Sequence, residues 1–240
     1  MNLIIDVGNT RVKAAVFEKD SLVEQFVFKE IELNQEVEKI ASKYIIHSGI
    51  ISSVVAFPEL ILKKKVPFIE LCATTKLPFN NLYSTPNTLG VDRIALVAGA
   101  VEKYPNRNVL IIDAGTCITY DFVNSQKEYL GGAISLGLKM RYTALNKFTS
   151  KLPLLEMKMV DDLIGNTTET SIHSGVINGV LNEINGVVEQ YEKKNKDLTI
   201  VLTGGDTNFL AIQLKSSIFA NPNFVLEGLN TILTYNKEGC

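Results

Sequence analysis

The chain has 240 residues, 46% of them apolar, enough for one large domain or two ordinary ones with proper cores and too apolar for a disordered protein. A formal net charge of −2 leaves no basic excess to draw it to nucleic acid, and a membrane surface is no better supported. Cys72, Cys117 and Cys240 are odd in number and far apart, so they give no disulfide framework and no zinc spacing, and a reducing cytoplasm is expected.

The amino terminus reaches an acid at Asp6 after three apolar residues, so neither a signal peptide nor an anchor is expected there. Leu3 to Ile5 reads as a buried strand, Asp6 to Thr10 as a turn, and Val12 to Phe17 as a second strand. Ser21 to Phe28 reads as a third. Asn34 is positioned to cap a helix running to about Lys43, with Val37, Ile40 and Ala41 on one face. Short apolar and lysine-bearing pieces alternate from Ile45 to Glu70. Cys72 to Leu89, rich in Thr, Asn and Pro, reads as a long ordered loop. A helix is expected from about Asp92 to Lys103, stopped by Tyr104-Pro105-Asn106.

The opening pattern then returns. Leu-Ile-Ile-Asp-Val-Gly-Asn-Thr at 3–10 and Leu-Ile-Ile-Asp-Ala-Gly-Thr at 110–116 are near copies. This is an internal duplication, and it divides the chain into 1–107 and 108–240. A strand over Ile118 to Val123 follows, then Gly131-Gly132, a helix over Leu138 to Lys147, and a loop at 149–153. A long helix is expected over Glu169 to Glu192, a strand over Leu198 to Thr203 ending in Gly204-Gly205, and a last helix over Leu226 to Tyr235. Strands clustered before helices in each half indicate two similar α/β domains with a cleft between them.

A strand-Asp-x-Gly-x-Thr-strand unit has a definite chemical capacity. Its turn offers backbone N–H groups and a hydroxyl to phosphate oxygens. The strand-end carboxylate repels phosphate unless a cation lies between them. Two such hairpins can hold the phosphates of a nucleotide, and the bare backbone of Gly204-Gly205 can accept a ring or ribose. Each motif alone is commonplace. Their order, with Asp113 coming 107 residues after Asp6 and Thr-Gly-Gly later still, resembles the acetate/sugar kinase, Hsp70 and actin superfamily. That resemblance implies two duplicated ribonuclease-H-like (actin-like ATPase) domains with ATP in an interdomain cleft.

The pieces between narrow it. Tyr83, Leu89-Gly90-Val91-Asp92-Arg93, Asp113-Ala114-Gly115-Thr116, Gly131-Gly132-Ala133-Ile134 and Ile164-Gly165-Asn166-Thr167-Thr168 together resemble the type III pantothenate kinases. Gly-x-Asp-Arg is the discriminating element, since general sugar kinases do not carry it in that place. The resemblance implies phosphorylation of pantothenate by ATP, the first step of coenzyme A synthesis. It assigns nucleotide-phosphate contacts to Asp6, Val7, Gly8, Asn9, Thr10, Arg11, Val12, Lys13 and Thr116. It assigns the substrate pocket to Tyr83, Gly90, Val91, Asp92, Arg93 and Thr168, with Asp92 as proton acceptor. Asp113 matches a ligand for a monovalent cation, potassium or ammonium, and Mg²⁺ accompanies ATP. A homodimer is implied, its pocket drawing on both subunits. Physical reasoning agrees on two roles. Asp92 at a helix start is favoured as a carboxylate, which suits a general base. Arg93 suits a carboxylate or a phosphoryl group.

Leu136 stands where the family usually has proline, a change that removes no chemical group. His47, His173 and the cysteines read as structural, and Lys63-Lys64-Lys65 and Lys193-Lys194 as solvated faces. Two rival readings keep the motifs and change the role. One is a kinase or phosphohydrolase for another small alcohol. The other is a non-catalytic regulator, against which the intact Asp6, Asp92 and Asp113 speak.

Overall fold

Leu3, Ile4 and Ile5 are all wholly buried, so the first strand is covered on both faces. The computed structural model describes every residue except 55–58, 161, 215–216 and 239–240. Cys240 and part of the Ile45 to Glu70 stretch therefore lie outside the described residues. The chain divides into two compact units, residues 1–106 with 123–131 and 223–240, and residues 107–122 with 132–222.

In the first unit, β1 (Asn2–Val7), β2 (Val12–Glu18), β3 (Ser21–Phe28), β4 (Ser48–Ser53) and β5 (Phe68–Glu70) form a sheet in the order β3-β2-β1-β4-β5. β1, β2 and β3 pair antiparallel in sequence, while β4 joins β1, and β5 joins β4, in parallel. Helix α1 (Leu33–Lys43) buries Leu33, Val37 and Ile40, the i, i+4, i+7 stripe expected of a helix lying on a sheet. They join Leu3, Ile5, Val12, Ala14 and Ile51 in one core. Asn34 is inside this helix and is not its cap. Its side chain instead donates to the Glu59 carbonyl at 2.8 Å and accepts from Ile61 N–H at 3.0 Å, so a loop takes the groups that a cap would have used. Helices α2 (Val91–Lys103) and α6 (Phe224–Glu238) pack against each other, and both contact β4.

The second sheet repeats this plan. β7 (Val109–Ala114), β8 (Cys117–Val123), β9 (Glu128–Leu136), β10 (Thr199–Thr203) and β11 (Phe219–Ala220) are ordered β11-β10-β7-β8-β9, with β6 (Asn80–Asn81) added beside β9. Again the first strand of the repeat pairs in parallel with the fourth, and the fourth with the fifth. Helix α3 (Leu138–Lys147) and the long α4 (Thr168–Lys194) cover this sheet. Ile172, Val176, Val180, Ile184 and Val188 of α4 share a core with Leu110, Ile112 and Leu202. α5 (Thr207–Ala211) is a single short helix after the Gly204-Gly205 turn. A strand order of 3-2-1-4-5 found twice is the duplicated ribonuclease-H-like plan, and it bears out the fold class read from the repeat.

Candidate active site

Register decides what surrounds Asp6. On β1 it lies opposite Lys13 of β2 and opposite Ser52 of β4. The buried Ser52 hydroxyl donates to Asp6 Oδ1 at 2.8 Å. Burial pushes the Asp6 carboxyl up to about 6. The Ser52 hydrogen bond works against that rise, the negative charge of Asp92 adds to it, and Lys13 offsets it. Asp6 and Asp92 therefore share one electrostatic neighbourhood.

The turn after Asp6 carries the rest of the first hairpin. Asn9, Thr10 and Arg11 are exposed, and Gly8 N–H donates to the Arg11 carbonyl at 3.2 Å. Val7 and Val12 are wholly buried in the core. They can meet a phosphate only through their backbone.

Asp92 is the second residue of α2, which Gly90 caps. Its Oδ1 accepts the Arg93 N–H at 2.8 Å. The carboxylate thus sits on the first turn of the helix, at the positive end of its dipole. Arg93 is only 5% exposed, and its guanidinium lies 5.5 Å from the centre of the Tyr83 ring, a cation–π distance. Tyr83 in turn stacks on Tyr129, with ring centres 6.0 Å apart and an interplanar angle of 21°.

The second unit holds the second hairpin. Asp113, half-buried near the end of β7, lies opposite Thr203 of β10. The exposed Thr116 sits in a turn closed by Gly115 N–H to the Cys117 carbonyl at 2.9 Å. Gly204 follows β10 with φ +98°. A Cβ there would stand 2.4 Å from Asp113 Oδ1 and 2.2 Å from the Ala114 carbonyl. The turn can approach this carboxylate only as glycine. Thr168 is the exposed first residue of α4, and Thr167 beside it makes the cap in a reciprocal pair with Thr170.

Three further contributors are absent from the sequence reading. Ser52 is brought to Asp6 by strand register across 46 residues. Tyr129 is brought to Tyr83 by the pairing of β6 with β9. In the second unit, Arg141 donates to the Leu136 carbonyl at 2.9 Å and to Ser135 Oγ at 3.1 Å, and pairs with Glu183 at 2.5 Å. Burial raises the Glu183 carboxyl, but the Arg141, Ser135 and Tyr120 hydrogen bonds outweigh it and hold the group below its usual value. This network grips the segment that carries Leu136. His173 is buried, and its Nδ1 shares a 2.8 Å hydrogen bond with the Tyr142 hydroxyl.

Among the described residues no group of three or more His, Cys, Asp or Glu is arranged to hold a metal ion. No helix among them is long and apolar enough to cross a membrane.

The duplicated sheets, each with an acid and a Gly/Thr turn after its first strand, define a protein of the actin-like ATPase and sugar-kinase fold. A Baf family transcriptional activator from Campylobacter jejuni, as that protein is described, superposes with a TM-score of 0.59 at 20% identity, covering 98% of this chain and 99% of that one. The activator of 2-hydroxyisocaproyl-CoA dehydratase from Clostridium difficile, solved with bound ADPNP, gives 0.54 at 11% identity over 99% and 97%. At these identities the likeness speaks for the fold alone. The narrower assignment comes from sequence, because the type III pantothenate kinase family model matches residues 2–190, and the chain belongs to that family. The type III pantothenate kinase of Christiangramia forsetii is 52% identical over 241 residues, covering 99% of each chain. That of Flavobacterium johnsoniae is 46% identical over 242 residues, again 99% of each.

Proposed function

We propose that this chain transfers the γ-phosphoryl group of ATP to the primary hydroxyl of pantothenate, opening coenzyme A synthesis in the cytoplasm. One observation carries the mechanism. The first turn of α2 presents the Asp92 carboxylate at the positive end of the helix, with Arg93 beside it under Tyr83. In the proposal Asp92 takes the proton of the pantothenate hydroxyl as its oxygen attacks the γ-phosphorus in line. The bond from that phosphorus to the bridging oxygen breaks, and ADP leaves. Gly90, Val91, Arg93, Tyr83 and Thr168 are assigned to pantothenate. The backbone and side chains of residues 6 to 13, with Thr116, are assigned to the phosphates. Rate enhancement comes mainly from positioning and charge neutralisation.

The donor set fits the implied ions. Mg²⁺ needs only one or two carboxylates beside phosphate oxygens and water, and the Asp6 carboxylate at the end of β1 would serve as one of them. Bound there, it would neutralise phosphate charge near Asp6. Asp113, beside the Ala114 carbonyl and the Gly204 turn, offers the hard oxygen ligands that a potassium or ammonium ion takes. The halves 1–107 and 108–240 are assigned as the two duplicated domains on the sequence repeat. A homodimer completes the proposal.

The test is ADP release with Mg-ATP and potassium, with and without pantothenate, for wild type and Asp92→Asn. Pantothenate-dependent turnover should fall by about 10²- to 10⁴-fold in the variant. ADP release indifferent to pantothenate would move the acceptor to another alcohol or to water. No turnover in any monovalent salt would favour a regulatory role.

A further inference from the structure

Tyr83 belongs to no regular element, yet its ring is held on three sides within the first unit. β6 pairs with the start of β9, Asn80 opposite Glu128 and Asn81 opposite Tyr129. Leu82 N–H continues that pairing by donating to the Tyr129 carbonyl at 3.0 Å, and Tyr83 N–H donates to Asn81 Oδ1 at 3.0 Å. The backbone of Tyr83 is thereby fixed against β9. Its ring lies nearly flat on the ring of Tyr129, which is wholly buried and is itself braced edge-on by Phe79, centres 6.2 Å apart and 75° between planes. Beside this stack the chain passes through Gly131 at φ +101°. A Cβ on Gly131 would lie 3.3 Å from Tyr83 Cδ2 and 3.5 Å from Cε2, so the ring occupies the space that glycine leaves open. Against the same ring lies the buried guanidinium of Arg93, 5.5 Å from its centre.

From these contacts we infer that Tyr129 and Gly131 are positioning residues. They form a platform that holds the Tyr83 ring against Arg93, and so set where the Arg93 guanidinium stands when an anionic substrate group arrives. Arginine has long rotamer freedom, and a cation held by a ring face and walled by buried surface keeps less of it. Substrate binding then orders fewer groups, which is a gain in affinity from preorganisation. The pair Gly131-Gly132 acquires a physical reason in its first member, whose φ of +101° suits glycine and which leaves the Tyr83 ring at close contact.

The inference rests on the reading that Arg93 faces pantothenate, and the test separates the two. Full-length wild type, Tyr129→Leu, Tyr129→Phe and Gly131→Ala are compared in steady-state kinetics. The same proteins are compared by the NMR position of the Arg93 side-chain Nε–H, identified by its loss in Arg93→Lys. The Tyr83 ring current should displace that resonance in wild type. Tyr129→Leu and Gly131→Ala should move it back towards the position of a free arginine and raise the KM for pantothenate about tenfold, with the KM for ATP and kcat within about twofold. Tyr129→Phe keeps the ring and should retain both the resonance and the KM. Gly131→Ala approaches the same contact from the other side if Tyr129→Leu folds poorly; because any side chain at φ +101° strains the backbone, it is compared at matched folded fraction and read by the Arg93 resonance together with the KM. Wild-type pantothenate kinetics that Tyr129→Leu and Gly131→Ala leave unchanged would overturn the platform alone, as would an equal loss in Tyr129→Phe. A wild type without pantothenate-dependent turnover would overturn both readings.

Discussion

Asp6 carries its charge at a cost that its neighbours set. Its carboxyl rises to about 6 in the folded chain, while an unfolded aspartate titrates near its ordinary 3.8. The folded state therefore binds this proton more tightly than the unfolded state does. The resulting stability is complete below about pH 4 and is lost as pH rises through 6, so at pH 7 to 8 the ionised, partly buried carboxylate works against folding. Asp6→Asn keeps the shape and the Ser52 contact and removes the charge. It should raise stability by about 1–3 kcal/mol at pH 7.5, an upper range because Asp6 keeps some solvent, and add nothing at pH 4. Ser52→Ala should act in the opposite direction in the same window, since it deletes the hydroxyl that favours the carboxylate. Urea unfolding of the three proteins at both pH values decides it. Equal stability of Asp6→Asn and wild type at pH 7.5 would show that burial does not burden this group. That a site should keep an unfavourable charge is the usual mark of a residue retained for a ligand.

At the scale of elements, the hairpins were legible because each carries its own signal, an apolar run, an acid and a Gly/Thr turn. Apart from the short α5, the helices were legible to within a few residues at each end. α4 was expected over Glu169 to Glu192 and runs from Thr168 to Lys194. What the sequence hid is what strand pairing brings together. Nothing near Ser52 marks it as a neighbour of the site, and Tyr129, though two residues before Gly131-Gly132, carries no mark of its own; both arrive by register from distant parts of the chain. The Asn34 cap failed for the same reason, its side chain being claimed by a loop 25 residues on. The Gly204 turn shows how an element constrains chemistry. Gly204→Ala would add a methyl 2.4 Å from Asp113 Oδ1 at a backbone angle that alanine rarely adopts. We expect a loss of about 2–4 kcal/mol in stability together with a several-fold rise in the potassium concentration needed for half-maximal turnover. Unfolding midpoints and a potassium titration of turnover test both halves. A stable variant with unaltered potassium response would mean that the turn yields without moving Asp113.

Among the described residues, the last part of β9 is uncovered, as β3 is at Leu22, Val23 and Val27. β9 should bury alternate residues, yet Gly132, Ala133, Ile134 and Leu136 are all exposed, with Ile134 at 63% and Leu136 at 48%. Met140, on the first turns of α3, is exposed as well. Ile134 and Leu136 point the same way along the strand, and an apolar strand face open to water is costly for a lone chain and ordinary for a subunit. In this segment Arg141 also fixes the Leu136 carbonyl. The expected outcome is a dimer in sedimentation velocity at micromolar concentration, and a monomer for the double variant Ile134→Lys, Leu136→Lys. Because the implied pocket draws on both subunits, the monomer should lose pantothenate turnover at least tenfold while melting cooperatively, since neither residue contributes to a buried core. A wild type that sediments as a monomer at all concentrations would remove the dimer. A monomeric variant of full activity would keep the dimer and confine the pocket to one chain.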